Sequence, residues 1–498
     1  MSLSLYGRLA MRFDAQRVLV SRRNLIKGAA LFAASGLLAS ACRAQPAGNG
    51  TTPPGSGKRK KVIVIGAGFG GLSCALELVA RGHDVTIFEG RGRVGGRVLT
   101  ARDLTENAAV EAGGEWIGAN HPTWLALAEK FQLNLVETPE NEELYSPIHL
   151  GGKLLSAKET EDLYNEMSAC LESMNKDAEA IDPLAPWDAS NAMELDRKSV
   201  GDWLSEQQCS DQCRAALNAQ IANDNGVPIA WQSYLGHLAM VKGGGVQDYW
   251  ENSEVFRCRQ GNQELAIRMY NELTPDRFML SNPVRRVEWS EDGSAARVVD
   301  GRGRKHECDA VVVAVAPTVW KNIDFAPTLP QALRVQMGMA SKMLCTMKSP
   351  AWTKLGVSAE SLSDSEIGYT WESTGIHAAA RNQVLCAFSG GPGAEIGLRL
   401  GEVERNEEYK TLLGRIYQGI GDEIESMRYI GWPTDRWTMA GYSFPAPGQV
   451  TTSSRALNQP LGNGAVHFAG EHTSLAFAGY MEGALSSGVI VARRIDGA

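Results

Sequence analysis

Three glycines after an apolar run have the spacing that binds the pyrophosphate of a dinucleotide. Gly66, Gly68 and Gly71 follow the apolar residues 62–65 and open a segment with helical periodicity. The first glycine permits a tight turn, the second lets the backbone approach a pyrophosphate, and the third lets helix and strand pack closely. A second apolar run ends at Glu89, whose carboxylate can accept hydrogen bonds from a ribose and would repel the extra phosphate of NADP. The pattern predicts a strand–turn–helix–strand unit that binds a dinucleotide at the N-terminus of its helix.

A segment of arginines and glycines just after Glu89 indicates which dinucleotide is bound. Residues 91–97 read Arg-Gly-Arg-Val-Gly-Gly-Arg. This segment resembles the flavin-containing amine oxidase family, which includes monoamine oxidases, polyamine oxidases and L-amino acid oxidases. The similarity extends from Lys60 to the C-terminus, and its best local matches are to the monoamine oxidase branch. The resemblance implies that the cofactor is FAD and that residues 91–97 wrap it.

A second segment, 467–483, resembles the other half of the family's FAD site. A strand predicted at 466–469 would deliver Glu471 toward the ribityl and pyrophosphate groups. Residues 479–483 would begin the last helix, whose N-terminal dipole can stabilise the negative charge of a reduced flavin. The residues that the resemblance assigns to FAD binding are Gly66, Gly68, Phe69, Gly70, Gly71, Glu89, Arg91, Gly95, Gly96, Arg97, Gly114, Glu115, Trp116, Val284, Gly470, Glu471, Tyr480 and Met481.

The resemblance also assigns catalytic roles to Lys342, Tyr442 and Tyr480. In monoamine oxidases two aromatic side chains face each other in front of the flavin and guide the amine between them, and Tyr480 and Tyr442 match these positions. The match of Tyr442 to the family requires a one-residue gap in the alignment between Tyr442 and Gly448. If the gap falls earlier in the alignment, Gly441 takes the cage position and only one aromatic side chain remains. Alternatively, Tyr442 is an aromatic residue of a core strand. Lys342 matches the family lysine that holds a water against flavin N5, and an exposed lysine on an edge strand is the alternative.

Residue 441 also bears on how FAD is attached. Animal monoamine oxidases carry a cysteine beside the cage tyrosine, and that cysteine bonds covalently to the flavin. Residues 440–442 here read Ala-Gly-Tyr, with no cysteine nearby. The resemblance therefore implies non-covalent FAD.

The family's reaction is oxidative deamination of a primary or secondary amine, with O₂ reduced to H₂O₂. An L-amino acid oxidase of the same fold is the nearest alternative, and it would need an arginine that grips the substrate carboxylate as a bidentate pair. Snake-venom-type enzymes place one just after a Gly-Gly pair, but residues 113–118 here contain none, although Arg214, Arg381 or Arg436 could replace it. A periplasmic amine dehydrogenase that passes electrons to another acceptor is a further alternative. A catalytically silent flavoprotein is disfavoured by the retained lysine and tyrosine.

The N-terminal residues have the pattern of an export signal and not of a folded domain. Arg22 and Arg23 lie in a twin-arginine motif at 21–27, and an apolar stretch of small residues, 28–41, follows. This pattern predicts export by the twin-arginine route to the periplasm or cell envelope, with cleavage before Cys42. A degraded lipobox makes Cys42 a candidate lipid anchor, and lipidation is left open.

Composition excludes several other classes of protein. The chain has 498 residues, 44% hydrophobic and 21% charged, with a net charge of −8, and it shows no basic stripe after the N-terminus. Nucleic acid is therefore not expected as a partner, whereas a small-molecule amine and O₂ are, and a homodimer is left open. The eight cysteines after Cys42 are scattered in the sequence without metal-type pairs. They are expected to be free structural thiols, with no metal site.

These features predict an α/β protein with a discontinuous FAD-binding domain of the Rossmann type and an α+β substrate domain, a mixed sheet flanked by helices. A continuous β-branched run at 310–316 is expected as a strand of the FAD domain that is buried on both faces. The predicted bounds are a signal peptide at 1–41, a flexible linker at 42–58, the FAD-binding domain at 59–115, 255–333 and 443–498, and the substrate domain at 116–254 and 334–442.

Overall fold

The computed structural model describes residues 4–34, 58–137 and 144–497. The helices are α1 (Leu5–Phe13), α2 (Ala15–Ala34), α3 (Phe69–Ala80), α4 (Pro122–Lys130), α5 (Ala157–Glu179), α6 (Ala192–Arg197), α7 (Val200–Glu206), α8 (Asp211–Asn225), α9 (Tyr234–Gly243), α10 (Gln247–Asn252), α11 (Gln263–Glu272), α12 (Ala351–Lys354), α13 (Pro392–Arg399), α14 (Glu402–Ile416), α15 (Ile420–Glu423), α16 (Arg455–Leu457) and α17 (Met481–Asp496). The strands are β1 (Lys61–Ile65), β2 (Asp84–Phe88), β3 (Thr100–Ala101), β4 (Val110–Glu111), β5 (Leu135–Glu137), β6 (Ile148–Leu150), β7 (Lys153–Leu154), β8 (Phe256–Cys258), β9 (Phe278–Met279), β10 (Val284–Trp289), β11 (Ala296–Asp300), β12 (Lys305–Cys308), β13 (Ala310–Val313), β14 (Asp324–Ala326), β15 (Ala340–Met347), β16 (Ser361–Ser363), β17 (Tyr369–Glu372), β18 (Val384–Gly390), β19 (Ile424–Gly431) and β20 (Val466–Phe468).

A five-stranded parallel sheet in the order β20-β13-β1-β2-β9 carries the glycine motif. Alternate residues of β1 face opposite sides: Val62 and Val64 pack with α3 and α17, while Ile63 and Ile65 pack against the four-stranded sheet β12-β11-β10-β14. Burial on both faces explains why residues 62–65 of β1 and the whole of β13 are uninterrupted apolar runs. Strands from three distant parts of the chain meet in this sheet, which confirms the predicted discontinuous Rossmann-type architecture.

A seven-stranded mixed sheet, β19-β15-β18-β17-β16-β6-β7, forms the centre of the second unit. Its pairs are antiparallel except for β16 with β6. One face packs through Leu344 and Cys386 against the helices α5, α8 and α9, and the other packs through Met343 and Leu385 against α14. The predicted mixed sheet flanked by helices is confirmed, while the exact domain bounds stay a prediction.

The N-terminal helices differ from the sequence expectation, which placed residues 1–41 outside the fold. Leu5, Tyr6 and Leu9 of α1 are buried in the core that contains α5 and α9. Arg22 of α2 is buried and donates to the Asn252 side-chain oxygen at 3.3 Å. The expectation of an unpacked N-terminus is therefore wrong for residues 4–25, because α1 presents apolar side chains at helical spacing to the core. The predicted cleavage site, Cys42 and the linker up to residue 57 lie outside the described residues.

Within residues 4–34, 58–137 and 144–497, no helix combines the length and apolarity needed to cross a membrane.

Candidate active site

The predicted FAD residues come together on the wall of one large cavity between the two sheets. Its wall includes every residue assigned above to FAD binding except Gly71, together with Lys342 and Tyr442. Gly71 serves packing instead, because a Cβ there would lie 2.0 Å from the carbonyl oxygen of Gly66. These residues come from three distant parts of the sequence, so the cavity exists only in the folded chain. Their individual roles stay predictions.

At the end of the cavity beside β1, glycine residues form the wall, so the backbone itself faces the cavity. Gly66 has φ +109, and a Cβ there would lie 2.7 Å from the Ala314 carbonyl oxygen. Gly96 lies against Gly68, where an added Cβ would be 3.2 Å from the Gly68 Cα atom. The N-terminus of α3 opens at the same place, with Gly68 as its N-cap. Free N–H groups and a smooth backbone surface fit a pyrophosphate, so this end of the cavity suits a dinucleotide.

Glu89 is fixed at the end of β2 by two backbone groups. Its carboxylate accepts from the Ala67 N–H at 2.9 Å and from the Arg91 N–H at 2.7 Å. A carboxylate has further lone pairs, which leaves acceptor capacity for ribose hydroxyls. The Arg91 guanidinium is bound to Asp435 and to the Thr438 hydroxyl, so it joins the cofactor-side loop to the segment after β19.

Glu471 ties the C-terminal loop to the segment that carries Tyr442. Arg97 donates from one nitrogen to Glu471 Oε1 and to the Gly441 carbonyl oxygen, both at 2.8 Å. The other carboxylate oxygen accepts from the Ser443 hydroxyl at 2.6 Å and from the Gly479 N–H at 3.0 Å. Burial opposes ionisation of this carboxyl, but Arg97 and these hydrogen bonds outweigh it and hold the pKa of Glu471 below its usual value. The charged pair thus positions both sides of the predicted cage.

Lys342 is buried and fully hydrogen-bonded. It lies on β15, a strand with neighbours on both sides, so the interpretation as an exposed edge-strand lysine is wrong. Its ammonium donates to Glu115 Oε2 at 2.8 Å and to the carbonyl oxygens of Gly113 at 2.9 Å and Glu111 at 3.0 Å. An ammonium has three donors, and protein acceptors occupy all of them in this arrangement. A water beside Lys342 would have to share or displace one of these acceptors, and the role of Lys342 in holding one stays a prediction.

Glu115 is the buried anion that pairs with Lys342. Its second oxygen accepts from Trp371 Nε1 at 2.9 Å, and Arg257 lies 3.2 Å from the same oxygen. Burial would raise the pKa of Glu115, but the charges of Lys342 and Arg257 reverse the shift and lower it. The charge of Glu115 is therefore already compensated within the fold.

Both predicted cage tyrosines lie on the cavity wall. Tyr442 donates from its hydroxyl to the Asn223 carbonyl oxygen at 2.9 Å, and Tyr480 packs edge-on against His121 with ring centroids 5.3 Å apart. A Cβ on Gly479 would lie 3.1 Å from the Tyr442 ring, which brings that ring next to the residue preceding Tyr480. Burial raises the pKa of both phenols well above 10.0, so both stay neutral.

Several wall residues were not singled out from the sequence. They include Glu254, Phe388, Trp432, Trp437 and Thr438. Trp437 lies so close to Gly90 that a Cβ there would be 2.8 Å from the indole, which explains the small residue after Glu89. Trp432 and Trp437 lie in the segment that leads to Tyr442, so their proximity in sequence to a predicted cage residue could have identified them. No predicted site residue lies near Glu254 in the sequence, so nothing in the sequence indicated its position.

Three cysteines that are scattered in the sequence meet in the fold. The sulfur atoms of Cys170, Cys209 and Cys213 lie within 4.8 Å of one another. Scatter in sequence was therefore no guide to their positions, because α5 brings Cys170 beside the start of α8.

The family model for flavin-containing amine oxidoreductases matches residues 69–496. The chain belongs to this family. Flavin-containing amine oxidase A of Equus caballus is 28% identical over 465 residues, which cover 87% of this chain and 84% of that protein. An L-amino acid dehydrogenase of Synechocystis sp. is 24% identical over 480 residues, covering 87% and 94%. Cyclohexylamine oxidase from Brevibacterium oxydans shares the fold, with a TM-score of 0.78, 24% identity, and coverage of 88% of this chain and 99% of that one.

As a member of the flavin-containing amine oxidoreductases, the enzyme has FAD as its cofactor. The glycine wall, the α3 N-terminus and Glu89 would hold its pyrophosphate and ribose, and the Glu471 loop would hold the opposite part. The attachment is non-covalent, because residue 441 offers no thiol and has no room for one: a Cβ on Gly441 would lie 2.8 Å from the Ala340 nitrogen.

Acid precipitation of the purified enzyme is expected to leave the yellow colour in the supernatant. The reason is the absence of a side chain at Gly441 that could form a thioether with the flavin. Absorbance of the supernatant and of the redissolved pellet measures the partition. Colour retained in the pellet would contradict non-covalent binding.

Proposed function

We propose that this chain oxidises a primary or secondary amine without a carboxylate to an imine while O₂ is reduced to H₂O₂. Water then hydrolyses the imine to a carbonyl compound, with release of ammonia from a primary amine or of a primary amine from a secondary one. FAD, when bound, supplies the two-electron acceptor and returns the electrons to O₂. The protein's own contribution is to position the amine, exclude water and keep the amine neutral. An aromatic cage of partly buried, neutral tyrosines favours the uncharged amine by desolvation.

The observation that carries this proposal is the lack of an arginine at the cage. Among the described residues that line the cavity, the arginines are Arg91, Arg97 and Arg285. Arg91 pairs with Asp435 and Arg97 with Glu471. Arg285 follows Val284, one of the residues that the resemblance assigns to FAD binding and not to the cage. A substrate carboxylate beside Tyr442 and Tyr480 would therefore be buried without a bidentate partner.

The three arginines that could have replaced it lie elsewhere. Arg214 donates to the carbonyl oxygens of Leu204 and Gln207, each at 2.6 Å. Arg381 pairs with Glu106 on the surface, and Arg436 stacks over Trp437. None of the three is among the described wall residues. Burying an unpaired carboxylate costs several kcal/mol in practice, so these positions favour amines over amino acids.

The L-amino acid oxidase and the amine dehydrogenase remain the alternatives. The relative from Synechocystis is named an L-amino acid dehydrogenase, so it supports the amino acid substrate of the first alternative and the dehydrogenase activity of the second. A panel of amines and amino acids, assayed in parallel for O₂ consumption, H₂O₂ and reduction of an artificial electron acceptor, tests all three. We expect amines to give H₂O₂ in equal amount to the O₂ consumed. Turnover only with the artificial acceptor would favour the dehydrogenase.

We further propose export by the twin-arginine route to the periplasm or cell envelope, with a mature N-terminus at Cys42. Arg22→Lys combined with Arg23→Lys is expected to retain the protein in the cytoplasm, because the motif depends on the arginine pair. Cell fractionation with immunodetection measures this, and Arg17→Lys, outside the motif, is the control. Unaltered export of the double variant would exclude the route, and mass spectrometry of the mature N-terminus reports lipidation of Cys42.

A further inference from the structure

Three thiols that the proposed amine oxidation does not use lie together between α5 and α8. Cys170 is on α5, Cys213 is in the first turn of α8, and Cys209 lies just before Ser210, the N-cap of that helix. All three are free thiols, and none is among the described wall residues of the FAD cavity. The cluster of Cys170, Cys209 and Cys213 is therefore separate from the candidate active site.

The spacing of the three sulfur atoms fits a single soft metal ion. All three lie within 4.8 Å of one another. A metal about 2.3 Å from each of three sulfurs in one plane sets them about 4 Å apart, so small side-chain rotations would complete such a site. Thiolates select soft ions such as Cu(I) and Zn²⁺ over hard ions such as Mg²⁺ and Ca²⁺. Within the described part of the chain no fourth His, Cys, Asp or Glu joins the group, so Zn²⁺ would take water as its fourth ligand.

The backbone that carries Cys209 is held in place by both helices. The Ser210 N–H donates to Glu166 Oε2 at 2.7 Å, which joins this segment to α5. The Ser210 hydroxyl accepts from the Cys213 N–H at 3.1 Å and so caps α8. The fold therefore positions the three sulfurs before any ion binds, which reduces the ordering cost of binding.

The surroundings of the cluster let an ion enter and partly balance the charge of the thiolates. Cys209 is half-buried, whereas Cys170 and Cys213 are buried, so an ion would enter past Cys209. Arg214 brings a positive charge near Cys170 and Cys209, and Glu166 brings a negative one near Cys170. The positive charge offsets part of the excess negative charge that three thiolates carry around one ion.

The cluster does not depend on the N-terminal residues that the proposed export would remove. The face of α5 towards α1 carries Tyr164, which stacks on Tyr6, and Ser168, whose hydroxyl donates to the Tyr6 hydroxyl at 3.3 Å. Cys170 follows Ser168 by two residues and so lies on the opposite side of the helix. The three thiols would therefore keep their positions after cleavage before Cys42.

We propose that Cys170, Cys209 and Cys213 bind one soft metal ion, Cu(I) or Zn²⁺, through three thiolates. Each thiol that coordinates the ion releases its proton to solvent. The ion cross-links α5 to the start of α8, and because it binds the folded chain it stabilises that chain by mass action. It takes no part in amine oxidation, so this inference is independent of the proposed function.

The test uses the full-length enzyme with FAD bound, reduced with a phosphine and then freed of the reductant without air. Zn²⁺ and Cu(I) are added separately, unbound ion is removed on a desalting column, and the metal content per chain is measured by elemental analysis. We expect about one ion per chain, protection of the three thiols from a thiol reagent, and a higher Tm with the ion than without it. Addition of both ions together identifies the one that the site prefers.

Cys209→Ser removes one ligand at a half-buried position, where a polar side chain can remain partly in water. It should weaken binding roughly a hundredfold or more, because loss of a ligand costs more than loss of a group that only orients one. It should also abolish the metal-dependent rise of Tm. Cys308→Ser, at a half-buried free cysteine outside the cluster, is the matched control and should change neither.

Three outcomes would overturn the metal site. The first is reduced wild-type enzyme that retains neither ion, and the second is equal retention by wild type and Cys209→Ser. The third is a disulfide between two of the three thiols in enzyme isolated with a thiol-blocking reagent, since that bond would remove two ligands. None of these measurements requires turnover, so the site is tested whether or not an amine is oxidised.

Discussion

Lys342→Met is expected to destabilise the folded protein by ~3 kcal/mol, the lower end of the cost of breaking a buried ion pair. The variant leaves the Glu115 carboxylate buried without its ammonium partner at 2.8 Å, with Arg257 and Trp371 still in contact. The free energy of unfolding by urea, measured with FAD bound, tests this. Lys342→Met with Glu115→Gln should recover most of the loss, because the uncompensated charge is gone.

The pH dependence of this effect follows from the sign of the Glu115 shift. The pKa of Glu115 is below the ordinary value of 4.5, so its contribution to stability is fully present above that pH and is lost as pH falls through the lowered pKa. The difference in stability between wild type and Lys342→Met should therefore be largest near neutral pH and shrink in acid. If the changes in the free energy of unfolding caused by Lys342→Met and Glu115→Gln were strictly additive, Lys342 and Glu115 would not act as an energetically coupled pair.

Gly71→Ala is expected to abolish the FAD-loaded enzyme. The added Cβ would lie 2.0 Å from the Gly66 carbonyl oxygen, so α3 would have to move away from the turn that forms the cofactor cavity. Overpacking of this kind typically costs 1–3 kcal/mol, and more where only backbone can yield. Soluble yield and the ratio of flavin to protein absorbance measure the loss.

Gly414→Ala is the control for this substitution. It lies inside α14, nothing lies within 4 Å of an added Cβ, and alanine is the better helix former by roughly 1 kcal/mol. It should retain full flavin content and equal or higher thermal stability. A Gly71→Ala protein with wild-type flavin content would contradict the close packing of α3 on β1.

The parts of the fold that depend on local backbone geometry were predictable from sequence. Spacing of glycines reports a tight turn and close packing directly, so the β1–α3 unit was found in the right place. The strand predicted at 310–316 was too long, since β13 ends at Val313 and residues 314–316 turn to line the cavity. An apolar run alone does not distinguish sheet from cavity wall.

Features that join distant segments were not predictable in the same way. Asp224 and Glu254 are thirty residues apart in sequence and carry no motif, and they line one cavity only because the end of α8 lies beside the segment between α10 and β8. The packing of α1 was visible in principle, because Leu5 and Leu9 have helical spacing. Because the twin-arginine motif at 21–27 follows, residues 1–41 were interpreted as a signal peptide only. An export motif that is recognised by a receptor does not prevent the same segment from packing against the protein core.

The central claim, an amine oxidase that rejects the substrate carboxylate, is tested most directly by kcat/KM for two matched pairs: tyramine with tyrosine, and cadaverine with lysine. In each pair the two compounds differ by one carboxylate at the reacting carbon. We expect the amine to be preferred at least a hundredfold in both, since an unpaired buried carboxylate costs about 3 kcal/mol or more. A strong preference for the amino acid in both pairs would contradict the account and identify an L-amino acid oxidase instead.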